Sequence, residues 1–105
     1  MSKAVGLLEV YGLTAAFVAG DAAVKAANVT LEVFDKNKPA NADSLPVPLL
    51  VTVKMRGGVS DVQAAMEIAE AAAKRVSGDI VAKWIIPQPE DGTEPMLKLS
   101  AFDKT

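Results

Sequence analysis

Apolar positions recur at two different spacings along the chain, and the changes of spacing divide it into alternating strand-like and helix-like segments. Lys3–Tyr11 carries Val5, Leu7, Leu8, Val10 and Tyr11 in a run short enough for a strand, and Gly12 breaks it. Leu13–Ala27 follows at helical spacing, with Leu13, Phe17, Gly20, Val24 and Ala27 on one face. Gly20 costs about 1 kcal/mol inside a helix relative to alanine, which is tolerable where the backbone must come close to a sheet. Asn28 is suited to the left-handed conformation that closes a helix. Val29–Phe34 alternates β-branched and polar residues and reads as a second strand. Asp35–Leu45 is polar, holds Pro39 and runs on to Pro46 and Pro48, so a loop is expected there. Leu49–Met55 is a third strand, with Val51 and Val53 on one face and Thr52 and Lys54 on the other.

Gly57-Gly58 turns the chain, and Ser60 with Gln63 has the spacing of a capping box. Val62, Met66, Ala69, Ala73 and Val76 form the buried stripe of a second helix, on which Glu70 and Lys74 pair four residues apart in the favourable order. Ser77-Gly78 ends it. Asp79–Ile86 is a fourth strand, stopped by Pro87-Gln88-Pro89. Met96–Leu99 interrupts an otherwise polar tail and predicts a short strand or a docked turn. The order β-α-β-β-α-β, with right-handed crossovers, predicts an α+β sandwich of the ferredoxin-like kind. It has a four-stranded antiparallel sheet, both helices on one face and no helix over the other. Residues 1–105 are expected to form one domain, with a core over about 3–89 and a tail over 90–105.

Composition adds that the core is shallow. Half of the 105 residues are apolar, but 18 are alanine and only five are aromatic. Small side chains yield little burial each, at about 25 cal/mol per Å². A domain of this size buries only about two-thirds of its unfolded surface. Further apolar area is therefore expected between subunits. The two alanine-rich helices, ending in Asp21–Asn28 and spanning Gln63–Val76, suit close, flat contact with other surfaces. That points to assembly rather than chemistry.

Charge and residue inventory exclude much else. The net charge is −2 and the pI near 5.0, and no basic run invites nucleic acid. No apolar run approaches the roughly 20 residues of a membrane span, and Met-Ser-Lys-Ala is not followed by a secretory h-region. The chain is expected to be cytoplasmic. It has no cysteine and no histidine, which removes disulfides, thiolate and imidazole metal ligands, and any nucleophile needing a histidine base from its own chain. No cofactor or metal is expected. Asp61, Glu67 and Glu70 lie on a solvated helix face or near its start, with no nucleophile–base pair and no phosphate-binding glycine loop, so no enzyme is expected. Gly57-Gly58 before a helix has the form of an anion site, although a plain turn explains it.

Four stretches together resemble a bacterial microcompartment shell protein of the single-domain, hexamer-forming class over about residues 3–89. They are Ala4–Leu13, Ala19–Val29, Val51–Val59 and Ile85–Pro89. The resemblance implies cyclic hexamers that tile edge to edge with neighbouring hexamers and other shell proteins. The resulting layer encloses enzymes, and small metabolites cross it through a pore on the six-fold axis. It further implies that Lys25 lies at the hexamer edge, where an ammonium with three donors on a long apolar stem would meet backbone carbonyls of the next hexamer. Asn28 matches the family's asparagine beside that edge. An arginine of the family near the end of the second helix corresponds to either Lys74 or Arg75, because the run is one residue longer here. Pro87-Gln88-Pro89 stands where relatives commonly have Pro-Arg-Pro, so a charge is lost at Gln88.

The connection over 35–48 departs most from the family, which uses a short glycine-rich loop around the pore. Here it is longer, has no glycine and carries two lysines against two aspartates. Lys38, Asn41, Asp43 and Ser44 are the candidate pore-lining groups; the alternatives are a loop folded outward or one that blocks the opening. The same element order also serves small-molecule-binding regulatory modules of ferredoxin-like fold, which stop at dimers or trimers and are stabilised by their ligand. Six like charges around a narrow opening govern ion passage. Asp43→Lys is therefore expected to change the flux of anionic solutes across assembled layers, and unchanged flux would remove Asp43 from the pore.

Overall fold

The computed structural model describes residues 3–37, 41, 44 and 49–100. Its elements are β1 (Ala4–Tyr11), α1 (Leu13–Ala26), β2 (Thr30–Leu31), β3 (Asp35–Asn37), β4 (Leu50–Gly57), α2 (Val59–Ser77), β5 (Ile80–Ile86) and a terminal 3₁₀ turn, Glu94–Lys98. The sheet runs β2-β4-β1-β5, every pairing antiparallel. Both helices pack on one face, so the expected architecture is present.

The second strand is the element that differs. A continuous Val29–Phe34 was expected, followed by loop from Asp35. Instead the edge strand is broken in two. Thr30 and Leu31 pair with Arg56 and Met55, the chain leaves the ladder, and Asp35–Asn37 returns to pair with Thr52, Val51 and Leu50. Of the expected loop, Pro39, Pro46 and Pro48 lie outside the described residues.

The core lies between the helices and the inward face of the two central strands. Leu8 faces Val53 across the ladder, Val10 faces Val51, and Gly6 faces Met55; the five large side chains among them are fully buried. Burying one such side chain contributes about 1.5–3 kcal/mol. The inward face of α1 is not the one carrying Leu13, Phe17 and Val24. Ala15, Ala16, Ala19, Gly20 and Ala23 are buried instead, and Phe17 is 61% exposed. Its ring leans on Phe34, with centroids 5.4 Å apart.

The reason is the partner. α1 runs against α2, whose buried stripe is itself Ala65, Ala69, Ala72 and Ala73 with Val62 and Met66. Two alanine surfaces let the helix backbones come close, and a phenylalanine or leucine there would hold them apart. Val76, expected in that stripe, is exposed. Gly20 does meet close neighbours, but they are the side chains of Leu31 and Phe34 rather than sheet backbone.

The start of α2 also differs. The helix begins at Val59 with Gly58 as its N-cap and no side-chain cap, so Ser60 lies inside the first turn and the capping box does not form. Its end is as read: Gly78 adopts φ 86°, the left-handed region, and its N–H reaches Lys74 O at 2.8 Å. A Cβ at Gly57 would lie 2.9 Å from the backbone oxygen of Asn28. Gly57→Ala is therefore expected to destabilise the chain by about 1–3 kcal/mol in denaturant unfolding, because backbone must move to admit a single methyl.

Candidate functional site

The four candidate edge residues sit at helix ends. Lys25 is in the last turn of α1, its side chain 73% exposed and paired with Asp21 Oδ2 at 2.7 Å. A solvent-exposed pair four residues apart contributes only a few tenths of a kcal/mol, so the ammonium is readily redirected. Asn28 is exposed, but it does not take the left-handed cap conformation. Ala27 closes α1 in an extended conformation, and no described non-glycine residue has positive φ.

Lys74 pairs with Glu70 at 2.9 Å, and Glu70 also accepts from Lys83 Nζ at 2.5 Å. Those two hydrogen bonds hold the Glu70 carboxyl below the usual carboxylate range, the Lys83 bond foremost, and the bond from Lys74 to Glu70 raises the Lys74 ammonium in turn. Arg75 is exposed beside them. Asn28 borders Gly57, at the start of α2, whereas Lys74 and Arg75 lie about 22 Å further along that helix at 1.5 Å per residue. The four residues thus mark two ends of the subunit rather than one cluster.

Of the candidate pore residues, Lys38 and Asp43 lie outside the described residues. Asn41 and Ser44 are exposed and form a tight turn: the Ser44 N–H and hydroxyl both donate to Asn41 O, at 2.9 and 2.7 Å. The Gly57-Gly58 turn already has a carboxylate at the helix start, with Asp61 in the first turn of α2. Among the described residues no group of acidic side chains is arranged to hold a metal ion, and no described helix is long and apolar enough to cross a membrane.

On the sheet face away from the helices the expected short strand or docked turn over Met96–Leu99 is a docked 3₁₀ turn, whose anchors the sequence reading did not name. That face was expected to be bare of helix, but the 3₁₀ turn lies across part of it. Lys54 and Arg56 point to that face from β4 and are both buried. Arg56 Nη1 and Nη2 donate to the two carboxylate oxygens of Glu94 at 2.8 and 2.7 Å, and Nη2 also reaches Lys3 O at 2.8 Å. Lys54 Nζ donates to Leu97 O at 3.1 Å and Leu99 O at 2.7 Å. Leu97 is buried, and Ser100 Oγ donates to Phe34 O.

The terminal segment is thus held by side chains rather than by a strand ladder. A signal for it existed. Arg56 continues the alternation that puts Thr52 and Lys54 on one face, and two cations on a sheet face need acceptors, which the acids and carbonyls of the tail can supply. Beyond this strap the face stays open. Leu7, Glu9, Thr52, Ala82 and Trp84 line a shallow cleft of about 190 Å³, in which burial pushes the Glu9 carboxyl up. Trp84 itself is 71% exposed.

Comparison with known proteins fits this fold. The BMC domain family matches residues 4–89. This chain belongs to that family. It is 36% identical over 105 residues to the carboxysome shell protein CcmK3 of Halothece sp., covering 99% of this chain and 94% of that protein. It is 41% identical over 95 residues to the bacterial microcompartment shell protein PduA of Citrobacter freundii, covering 90% and 91%. The carboxysome shell protein CcmK2 of Synechococcus elongatus is 38% identical over 100 residues, covering 94% and 89%. A crystal structure of a microcompartments protein from Desulfitobacterium hafniense DCB superposes with a TM-score of 0.68 at 22% identity, over 93% of this chain and 48% of that one, and so shares the fold. The BMC-domain chain is accordingly a structural protein of the bacterial microcompartment shell.

The strap's pH response follows from its ion pair. The hydrogen bond from Arg56, and to a lesser degree the charges of Arg56 and Lys98, lower the Glu94 carboxyl from its usual value. A depressed folded-state pKa means that the contribution is complete above the unfolded-state pKa and is lost as pH falls through the folded one. The Leu97 methyl resonances should therefore hold their docked positions through the ordinary glutamate range, about pH 4, and shift only below it. A midpoint at or above that range would show that Arg56 does not hold Glu94 in solution.

Proposed function

We propose that the chain closes into a cyclic hexamer and that these hexamers tile through Lys25, Asn28 and either Lys74 or Arg75 into the shell. The observation that carries this reading is the disposition of apolar side chains. The fold turns one alanine face of each helix inward and leaves Phe17, Val24, Ile68, Val76 and Trp84 in water. Exposed apolar area on this scale marks contact surfaces, and rotational closure consumes such patches without leaving an open end. Support also comes from the shell-protein relatives matched along nearly the whole chain.

On this reading residues 1–105 act as one shell domain. The segment around Asn41 and Ser44, with Lys38 and Asp43, borders the six-fold axis, and small metabolites pass there. The chain performs no catalysis itself. The enclosed enzymes, neighbouring hexamers and other shell proteins are its partners.

The edge role of Lys25 separates the two levels of assembly. Light scattering of the wild type should give six subunits, and negative-stain images should show sheets or tubes. Lys25→Ala should keep the hexamer mass while the extended layers disappear. A dimer or trimer that gains thermal stability on adding a small ligand would instead indicate a regulatory module.

A further inference from the structure

The strap over the sheet face has an unusual set of neighbours. Arg56, which binds Glu94 through both terminal guanidinium nitrogens, also lies 3.9 Å from Glu32 Oε1. Lys54, which donates to two strap carbonyls, lies 3.9 Å from Asp35 Oδ2. Glu32 and Asp35 belong to the broken edge of the sheet, in the stretch where the chain leaves and rejoins β4. Each buried cation thus faces one carboxylate of the sheet and acceptors of the strap: two backbone carbonyls for Lys54 and the Glu94 carboxylate for Arg56.

Removing a partner from a buried charge normally costs several kcal/mol, because the charge is left without compensation. Here the sheet carries a second acceptor within a small side-chain movement of each cation. Departure of the strap therefore does not strand either charge. The segment is also attached by the buried side chain of Leu97 and the hydroxyl of Ser100, and no strand ladder among the described residues ties it down. Pro95, Met96 and Leu99 are exposed.

We propose that this surface is a peptide seat, occupied here by the chain's own residues 94–99. When the strap leaves, the seat takes a segment of a partner protein that adopts the same 3₁₀ turn and carries the same chemistry: a carboxylate side chain followed three residues later by a leucine on the same face. The carboxylate takes the guanidinium fork of Arg56, the leucine takes the place of Leu97, and two backbone carbonyls of the incoming segment take the ammonium of Lys54. The partner's chemistry is read from the present occupant and from the positive charge beneath it. The seat lies on the sheet face opposite the helices that carry Lys25, Lys74 and Arg75, and its Arg56 end adjoins Gly57, which Asn28 borders.

A tethered strap competes with any incoming segment at an effective concentration on the order of millimolar. The seat is consequently closed to weak ligands in the wild type and opens when the strap is weakened. The test uses the full chain and a fluorescein-labelled synthetic peptide of residues 90–100, read by anisotropy. The double variant Glu94→Gln/Leu97→Ala should bind this peptide at least about tenfold more tightly than the wild type does. The peptide carrying Gln at the Glu94 position should bind at least about tenfold more weakly, the loss expected for a charge-assisted hydrogen bond.

Glu94→Gln alone, which keeps Leu97, serves as the host if the double variant melts below the working temperature. Equal binding to wild type and variant, equal binding of the two peptides, or no binding to the folded host at about millimolar peptide would each overturn the seat. Light scattering on the same samples reports the ring separately, so loss of hexamers and loss of peptide binding are distinguishable.

Discussion

The contact between the two alanine stripes decides most of this structure. Ala15, Ala19 and Ala23 on α1 share the interior with Ala65, Ala69 and Ala73 on α2. Side chains this small let two helices come close together over the sheet. The choice has a cost in solvation that falls on the same helix. α1 also carries Leu13, Phe17 and Val24, and a helix cannot turn both faces inward against one layer. Packing the alanine face gains close helix contact; packing the bulky face would have opened voids along α2. The large side chains are left outside, where they gain only by meeting another surface.

This competition explains why one part of the fold was legible and another was not. Strand and helix positions follow from spacing alone, and β1, α1, β4, α2 and β5 lie within a residue or two of where the pattern put them. Which face of α1 is buried does not follow from spacing, because both faces are apolar. Spacing favours the larger side chains, and the partner helix overrules it. The edge strand failed for a different reason. Val29–Phe34 alternates as a strand should, but the two-part pairing along β4 depends on register across the sheet, which a local pattern does not encode. The capping box failed because a glycine that needs no side chain began the helix two residues earlier.

The candidate site divides in the same way. Lys25, Asn28, Lys74 and Arg75 were placed from family motifs and stand exposed at or just beyond helix ends. Lys54 and Arg56 lie in one of the stretches that carry the resemblance, but it gave them no role, and Glu94 lies outside those stretches. Their relation joins residues some 40 positions apart, and only a count of charge on one sheet face could have suggested it. Arg56 illustrates the general difficulty. In sequence it is one more surface arginine beside a turn; in the fold it binds a carboxylate and the backbone of the first strand at once. Its guanidinium ties the beginning of the chain to its end.

The break in the edge strand bears on how such a protein survives its own abundance. A component of an extended protein layer is held at very high local concentration, where an uninterrupted sheet margin would zip to its neighbours' margins into fibrils. On one side the margin is split into Thr30–Leu31 and Asp35–Asn37, each too short to template a ladder. On the other, β5 carries a charged lysine held by Glu70 and is followed at once by Pro87 and Pro89, which cannot donate to a ladder. Both margins are thereby unsuited to backbone pairing, and copies of the chain are left to recognise one another through side chains, a mode of contact that can be undone and rebuilt.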